Sequence, residues 1–177
     1  MGNIFVFSPT TNKRKPTMKQ KIINPYTAPI FQEQGYNCFA CAPHNPIGLH
    51  LEFYEEGDEV TCTWTPTDNF QGWLDTLHGG IQATLIDETC GWLVSRKRQL
   101  AGMTTQLNVK YKRPVPIDGN SVEIRASIRE IKRTFVLIDC NLYHKGELCS
   151  TADVTFFCFS KEKSEKDFYF KPFEVEE

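Results

Sequence analysis

Residues 77–88 read Leu-His-Gly-Gly-Ile-Gln-Ala-Thr-Leu-Ile-Asp-Glu. They hold the groups that acyl chemistry needs. His78, Gly79 and Gly80 stand immediately before a run that reads as a buried helix, and Asp87 lies deep within that run. Paired glycines let the backbone approach a ligand closely and leave the first helical N–H groups facing it. Those donors, with the helix dipole, favour negative charge. A carboxylate in an otherwise apolar helix is costly unless it has a task. The arrangement points to an oxyanion site and a general base.

Spacing adds a constraint. Gly79 and Asp87 are eight residues apart, which is about 12 Å of rise along one helix. A base and an oxyanion donor that serve one carbonyl must each come within roughly 3 Å of the reacting atoms. One helix does not easily do both. Two copies packed antiparallel in a symmetric dimer would set Gly79 of one beside Asp87 of the other, twice. The alternative is a tight turn before a core helix, with Asp87 bonded to a neighbour.

The elements that would position these groups follow from periodicity. Leu49–Tyr54 and Val60–Thr65 alternate as a hairpin around Gly57-Asp58. Pro66–Leu77 reads as a loop anchored by Phe70 and Trp73. Gly80–Arg96 is the one convincing long helix. It is apolar on most faces, which argues central burial, and Arg96, Lys97 and Arg98 complement its C-terminal dipole. Four strands follow, at Met103–Arg113, Ser121–Ile131, Thr134–His144 and Glu147–Phe159. The links between the last three are too short for parallel crossovers, so they should be antiparallel. A long apolar helix needs a sheet large enough to wrap it.

The domain organisation expected is an N-terminal arm over 1–35, a folded domain over 36–160 and a C-terminal tail over 161–177. The arm is Pro-rich, with a short helix near Ala28–Gln34. Met18 is an alternative start, which would make 1–17 an extension. The chain has 177 residues and a formal charge of -2. That leaves no electrostatic footprint for nucleic acid. No apolar run is long enough to cross a bilayer, and the N-terminus lacks the pattern of a secretory signal. Seven cysteines without regular spacing indicate a reducing cytoplasm rather than a disulfide framework.

The His78-Gly79-Gly80 motif, with Asp87 nine positions after the histidine, resembles the hotdog-fold thioesterases of the phenylacetate-degradation (PaaI-type) branch. The run Thr104–Val115, with Leu107, Asn108, Tyr111 and Pro114, is similar to the strand after the helix in that family. Cys38-Phe39-Ala40-Cys41 with Asn45-Pro46-Ile47-Gly48-Leu49 resembles the opening segment of some bacterial members. The resemblance covers roughly 36–160. It implies an α+β hotdog fold, a curved antiparallel sheet around one long helix. It also implies hydrolysis of acyl-CoA thioesters, without metal or redox cofactor, by a dimer or dimer of dimers with sites between subunits. On that resemblance Gly79 gives its N–H to the thioester carbonyl, and His78 positions the carbonyl or the loop. Asp87 activates water or attacks directly. Thr104 assists from the strand, and Gln71, or else Asn69, holds the water or carbonyl.

Other residues carry weaker signals. Gly80 completes the glycine pair against the substrate. Glu88, also a candidate for contact with substrate, points about 100° away from Asp87 around the helix and would pair with a base or face the dimer seam rather than share catalysis. Lys110, Lys112 and Arg113 form a basic group suited to CoA phosphates, or else a solvated strand edge. Thr104 also fits as an ordinary strand residue. Phe70, Trp73 and Trp92 fit an acyl pocket or core packing. Cys38-x-x-Cys41 with His44 leaves a closed zinc site one ligand short, and no βαβ pattern surrounds the pair to support a redox role. It reads as a turn or as a loop shaping the acyl tunnel. Two alternatives to hydrolysis remain open. One is a hotdog hydratase or dehydratase acting on hydroxyacyl thioesters; the other is a non-catalytic thioester-binding module.

Overall fold

A computed structural model describes residues 18–176. The extension read for 1–17 lies outside the described residues. The chain runs β1 (Lys19–Lys21), α1 (Pro29–Glu33), β2 (Phe53–Glu56), β3 (Glu59–Trp64), a 3-10 turn (Asp68–Phe70), β4 (Gln71–Trp73), β5 (Thr76–Leu77), α2 (Gly79–Arg98), β6 (Gly102–Tyr111), β7 (Val122–Lys132), β8 (Phe135–His144), β9 (Glu147–Cys158) and α3 (Lys161–Asp167). One seven-stranded sheet has the order β1-β2-β3-β7-β8-β9-β6, and every pairing in it is antiparallel. This is the hotdog arrangement, with α2 lying against β3 and β6–β9.

Alternation sets the wrapped face. Val122, Ile124 and Ala126 of β7 are buried, as are Val136, Ile138, Cys140 and Leu142 of β8. Ala152, Val154, Phe156 and Cys158 continue this on β9. They close over Leu85, Ile86, Cys90, Leu93 and Val94 of α2, each at most 1% exposed. Each large aliphatic side chain so buried contributes roughly 1.5–3 kcal/mol.

The ends of α2 are well defined. His78 caps its start, with extended backbone (φ -60, ψ 133). Gln99 ends it in the left-handed region at φ 52, its N–H returning to Ser95 O. The helix is one residue longer at its start and two at its end than periodicity predicts. Periodicity marks side-chain faces rather than caps.

Two segments differ from the sequence reading. The Pro66–Leu77 loop contains the 3-10 turn and a short hairpin, β4–β5, too brief to leave an alternation signal. Trp73 does not anchor it: Trp73 is 83% exposed at the hairpin, whereas Phe70 packs edge-on against Trp64 at 5.2 Å. The described part of the arm is not loose. β1 pairs with β2, and α1 forms within the span expected for it. Ile22 bridges Val175 and Ile23 N donates to Glu174 O at 2.8 Å, so the two terminal segments hold each other. Phe173 is buried against Trp92, with ring centroids 5.0 Å apart.

Candidate active site

His78 joins the β4–β5 hairpin to α2. Its N–H donates to Phe70 O at 2.9 Å, and its Nδ1 accepts the Gly80 N–H at 2.8 Å. In the neutral ring this puts the proton on Nε2. A Cβ on Gly80 would lie 3.0 Å from that Nδ1, so the ring sits where a side chain at 80 would go.

The capping leaves one donor over. The first four N–H groups of a helix have no partner within it unless the cap supplies one. Gly80 N–H goes to the His78 ring, and Ile81 and Gln82 N–H both reach His78 O at 3.1 Å. Gly79 N–H is the group remaining at the positive end of α2. The Gly79 carbonyl accepts from the Tyr111 hydroxyl at 2.8 Å, which places the end of β6 over the helix start.

Asp87 is two turns further along and half-buried. Thr104 Oγ1 donates to Asp87 Oδ1 at 2.7 Å. The register of β6 on β9 shifts between Thr104 and Gln106. A bulge of this kind re-aims neighbouring side chains. One turn beyond Asp87 on α2, a cavity of about 230 Å³ is lined by Gly91, Ser95, Glu88, Trp92, Cys38 and Gly102, among others, and by none of His78, Gly79, Asp87 or Thr104. Another hollow, about 310 Å³, lies beyond Cys41 and Trp92 beside Lys21, His50 and Glu52. It touches none of His78, Gly79, Asp87 or Thr104.

The structure thus pairs Asp87 with Thr104 and joins His78, Gly79 and Gly80 at the cap. It does not bring these two groups together within one copy. Gln71 turns away: its Oε1 accepts the Asp75 N–H at 3.3 Å within its own hairpin. Among the described residues Glu88 pairs with no base; its Oε1 accepts from Trp92 Nε1 at 3.0 Å and from the Cys38 thiol at 3.6 Å. Lys110, Lys112 and Arg113 are exposed at the end of β6 that adjoins Gly79, and Arg113 is paired with Glu147. His44 does not join Cys38 and Cys41, because its Nε2 bonds Tyr36 O at 2.7 Å.

Two positioning contacts are not legible in the sequence. Tyr111 falls in the Leu107–Pro114 run, but its reach to Gly79 depends on β6 running back along α2. The buried Ser150 Oγ donates to Gln82 Oε1 at 2.7 Å, and Gln82 Nε2 donates to Leu77 O at 3.3 Å. This fixes the backbone one residue before His78, across 68 residues of sequence.

The fold and the cap-plus-carboxylate helix define a class. Residues 74–151 match the sequence model of the thioesterase superfamily. Over that stretch the chain is similar to that superfamily, and its sheet and helix take the hotdog arrangement. Among curated relatives, acyl-coenzyme A thioesterase THEM4 of Bos taurus is 30% identical over 122 residues, 67% of this chain and 49% of that protein. The chain spans about half the length of the curated relatives it matches. Among solved structures, the PaaI protein of the E. coli phenylacetic acid degradation operon superposes with a TM-score of 0.58 at 15% identity, covering 63% of this chain and 81% of that one. A hypothetical thioesterase with coenzyme A from Streptococcus pneumoniae TIGR4 gives 0.58 at 22% identity, covering 62% and 86%. These two likenesses show the shared fold. No helix among the described residues is long and apolar enough to cross a membrane.

Proposed function

We propose that this protein hydrolyses acyl-CoA thioesters to free acid and CoA, at sites shared between two copies of the chain. The observation that carries this is the capping of α2. His78 takes the Gly80 N–H and leaves Gly79 N–H as a preorganised donor, while Thr104 holds Asp87. The activity in the names of the curated relatives and the coenzyme A in a structural neighbour support the substrate class.

Gly79 N–H receives the thioester oxygen as it becomes an oxyanion, and His78 orients the carbonyl or the loop. Asp87 takes a proton from water, whose oxygen adds to the carbonyl carbon, and the proton then goes to the departing CoA sulfur. Asp87 attacking the carbon itself is the variant of this route. The acyl group runs along Gly91 into the cavity of about 230 Å³. Lys110 and Lys112 face the CoA phosphates, with Arg113 shared with Glu147. The fixed cap role of the His78 ring favours hydrolysis over the dehydratase alternative. Seven free thiols fit a reducing compartment such as the cytoplasm.

Sharing between copies follows from the rise of about 12 Å separating Gly79 from Asp87 on one helix. It is supported by β6, an edge strand with Met103, Thr104, Thr105, Gln106, Asn108, Lys110 and Tyr111 exposed. Such an edge invites a second copy. Complementation tests this. Asp87→Asn and Gly79→Pro each inactivate alone. Refolded together, they form mixed dimers with one intact site, so about a quarter of wild-type activity returns for random pairing. Mixtures as inactive as either parent would remove the shared site.

A further inference from the structure

The loop before β2 brings two thiols together in the cavity wall. Ala42 N donates to Cys38 O at 3.1 Å, a single helical turn that sets Cys38 and Cys41 on one side. Their sulfurs lie 3.0 Å apart. A disulfide bond is about 2.05 Å long, so about 1 Å of closure by side-chain rotation joins them. Cys38 is the one cysteine of the seven that is not buried. Its sulfur accepts the Cys41 thiol and the Cys41 backbone N–H, the latter at 3.2 Å.

We propose that Cys38 and Cys41 are a reactive dithiol, a modification site that a low-molecular-weight disulfide closes reversibly to a Cys38–Cys41 bond. Cys38 is the attacking thiol. Its bond from the Cys41 thiol, aided by backbone N–H groups, holds its pKa below the ordinary thiol range despite burial and the nearby Glu88 charge. Cys41 is the resolving thiol, buried and pushed well up by its bond to Cys38 and by desolvation. The Cys38 thiolate attacks one sulfur of the added disulfide, forming a mixed disulfide and releasing one thiolate. Cys41 loses its proton to solvent and attacks Cys38 Sγ. The second small thiolate leaves, and the two released thiolates are protonated as two thiols. Closure withdraws the Cys38 thiol from Glu88 and the Cys41 sulfur from the Tyr36 hydroxyl, 3.2 Å away. Cys38, Cys41, Glu88 and Tyr36 all line the same cavity.

A metal is the competing use of this cluster, since Cys38, Cys41 and Glu88 offer three ligand atoms within 4.8 Å of one another. The fourth position argues against it. Tyr36 is the neighbouring oxygen, and burial, with Cys41 beside it, pushes its phenol pKa well above the usual value, which makes it a poor anionic ligand. His44 and His50 are both turned to backbone carbonyls.

The test uses the reduced full chain in oxidised and reduced glutathione at graded ratios. Remaining thiols are alkylated after denaturation, and intact mass and peptide maps are read. Two of seven thiols should be lost, as a Cys38–Cys41 link that dithiothreitol reverses. Cys41→Ser should stop at one glutathione on Cys38. Seven alkylated thiols at the most oxidising ratio, or a link mapping elsewhere, would overturn the proposal. So would one Zn2+ ion bound per chain, in a chelator competition, that blocks glutathione. The readout is covalent mass, so it stands apart from whether the protein cleaves thioesters.

Discussion

Gly79→Pro removes one hydrogen from the proposed site and almost nothing else. Position 79 is the first residue of α2, where the N–H makes no bond within the helix, so proline breaks none. Proline also asks its predecessor to be extended, and His78 already is, at φ -60 and ψ 133. A Cβ at 79 would meet the Tyr111 ring at 3.4–3.5 Å, an ordinary contact. Stability should therefore hold or rise by about 0.4–1 kcal/mol, from the stiffer unfolded chain. Catalysis should not hold. Loss of one oxyanion donor costs about 10²–10³ in kcat, or about 2.7–4 kcal/mol. Thiol release from a panel of acyl-CoAs measures the rate, and thermal melts confirm the fold. Gly79→Ala is the control, because it adds the same Cβ and keeps the N–H. A folded Gly79→Pro protein with kcat within threefold of wild type would refute the assignment, since the developing charge would then be held elsewhere.

Thr104→Val keeps a β-branched strand residue but deletes the 2.7 Å donor to Asp87, so kcat should fall about tenfold with KM little changed in steady-state assays. Gly91→Val would place its Cβ 3.8 Å from the Phe156 ring, an ordinary contact, and fill the cavity beyond Asp87. Long-chain acyl-CoAs should lose about tenfold or more in kcat/KM, while acetyl-CoA changes little. Glu55 bonds Arg96 and Lys97; burial acts to raise its pKa, and the two cations outweigh it, holding it below the ordinary value. A depressed carboxylate stabilises the fold above its unfolded pKa, about 4.3, and loses that effect as pH falls through the folded value. Glu55→Gln should thus cost about 1 kcal/mol at neutral pH and progressively less in acid, read from urea midpoints across a pH series.

Much of the architecture was legible because local rules agree with it. The apolar run of α2 and the alternation of β7, β8 and β9 name their own buried faces. His78 with two glycines marks a helix start chemically, and the resemblance adds Asp87 and Thr104, which do meet. Gln71 bonds within its own hairpin for a physical reason. The β4–β5 hairpin reverses at Asp75, a non-glycine residue at φ 53, and that turn gives the Gln71 side chain a nearer partner than the site. Cys38 meeting Glu88 spans 50 residues. A long-range contact of that kind leaves no periodic trace in a sequence.

The tail has a consequence for biosynthesis. The Phe173 carbonyl accepts from Arg96 Nη1 and Gln99 Nε2, both at 2.9 Å, so the far end of α2 is held by a segment made 74 residues or more after it. Its near end waits for Ser150. A chain still emerging from the ribosome has α2 but neither clamp, and β6 has no β9 to lie beside. The geometry proposed for the site should form only after residue 173 has been made, and a message truncated before that point would yield a helix with nothing to aim it.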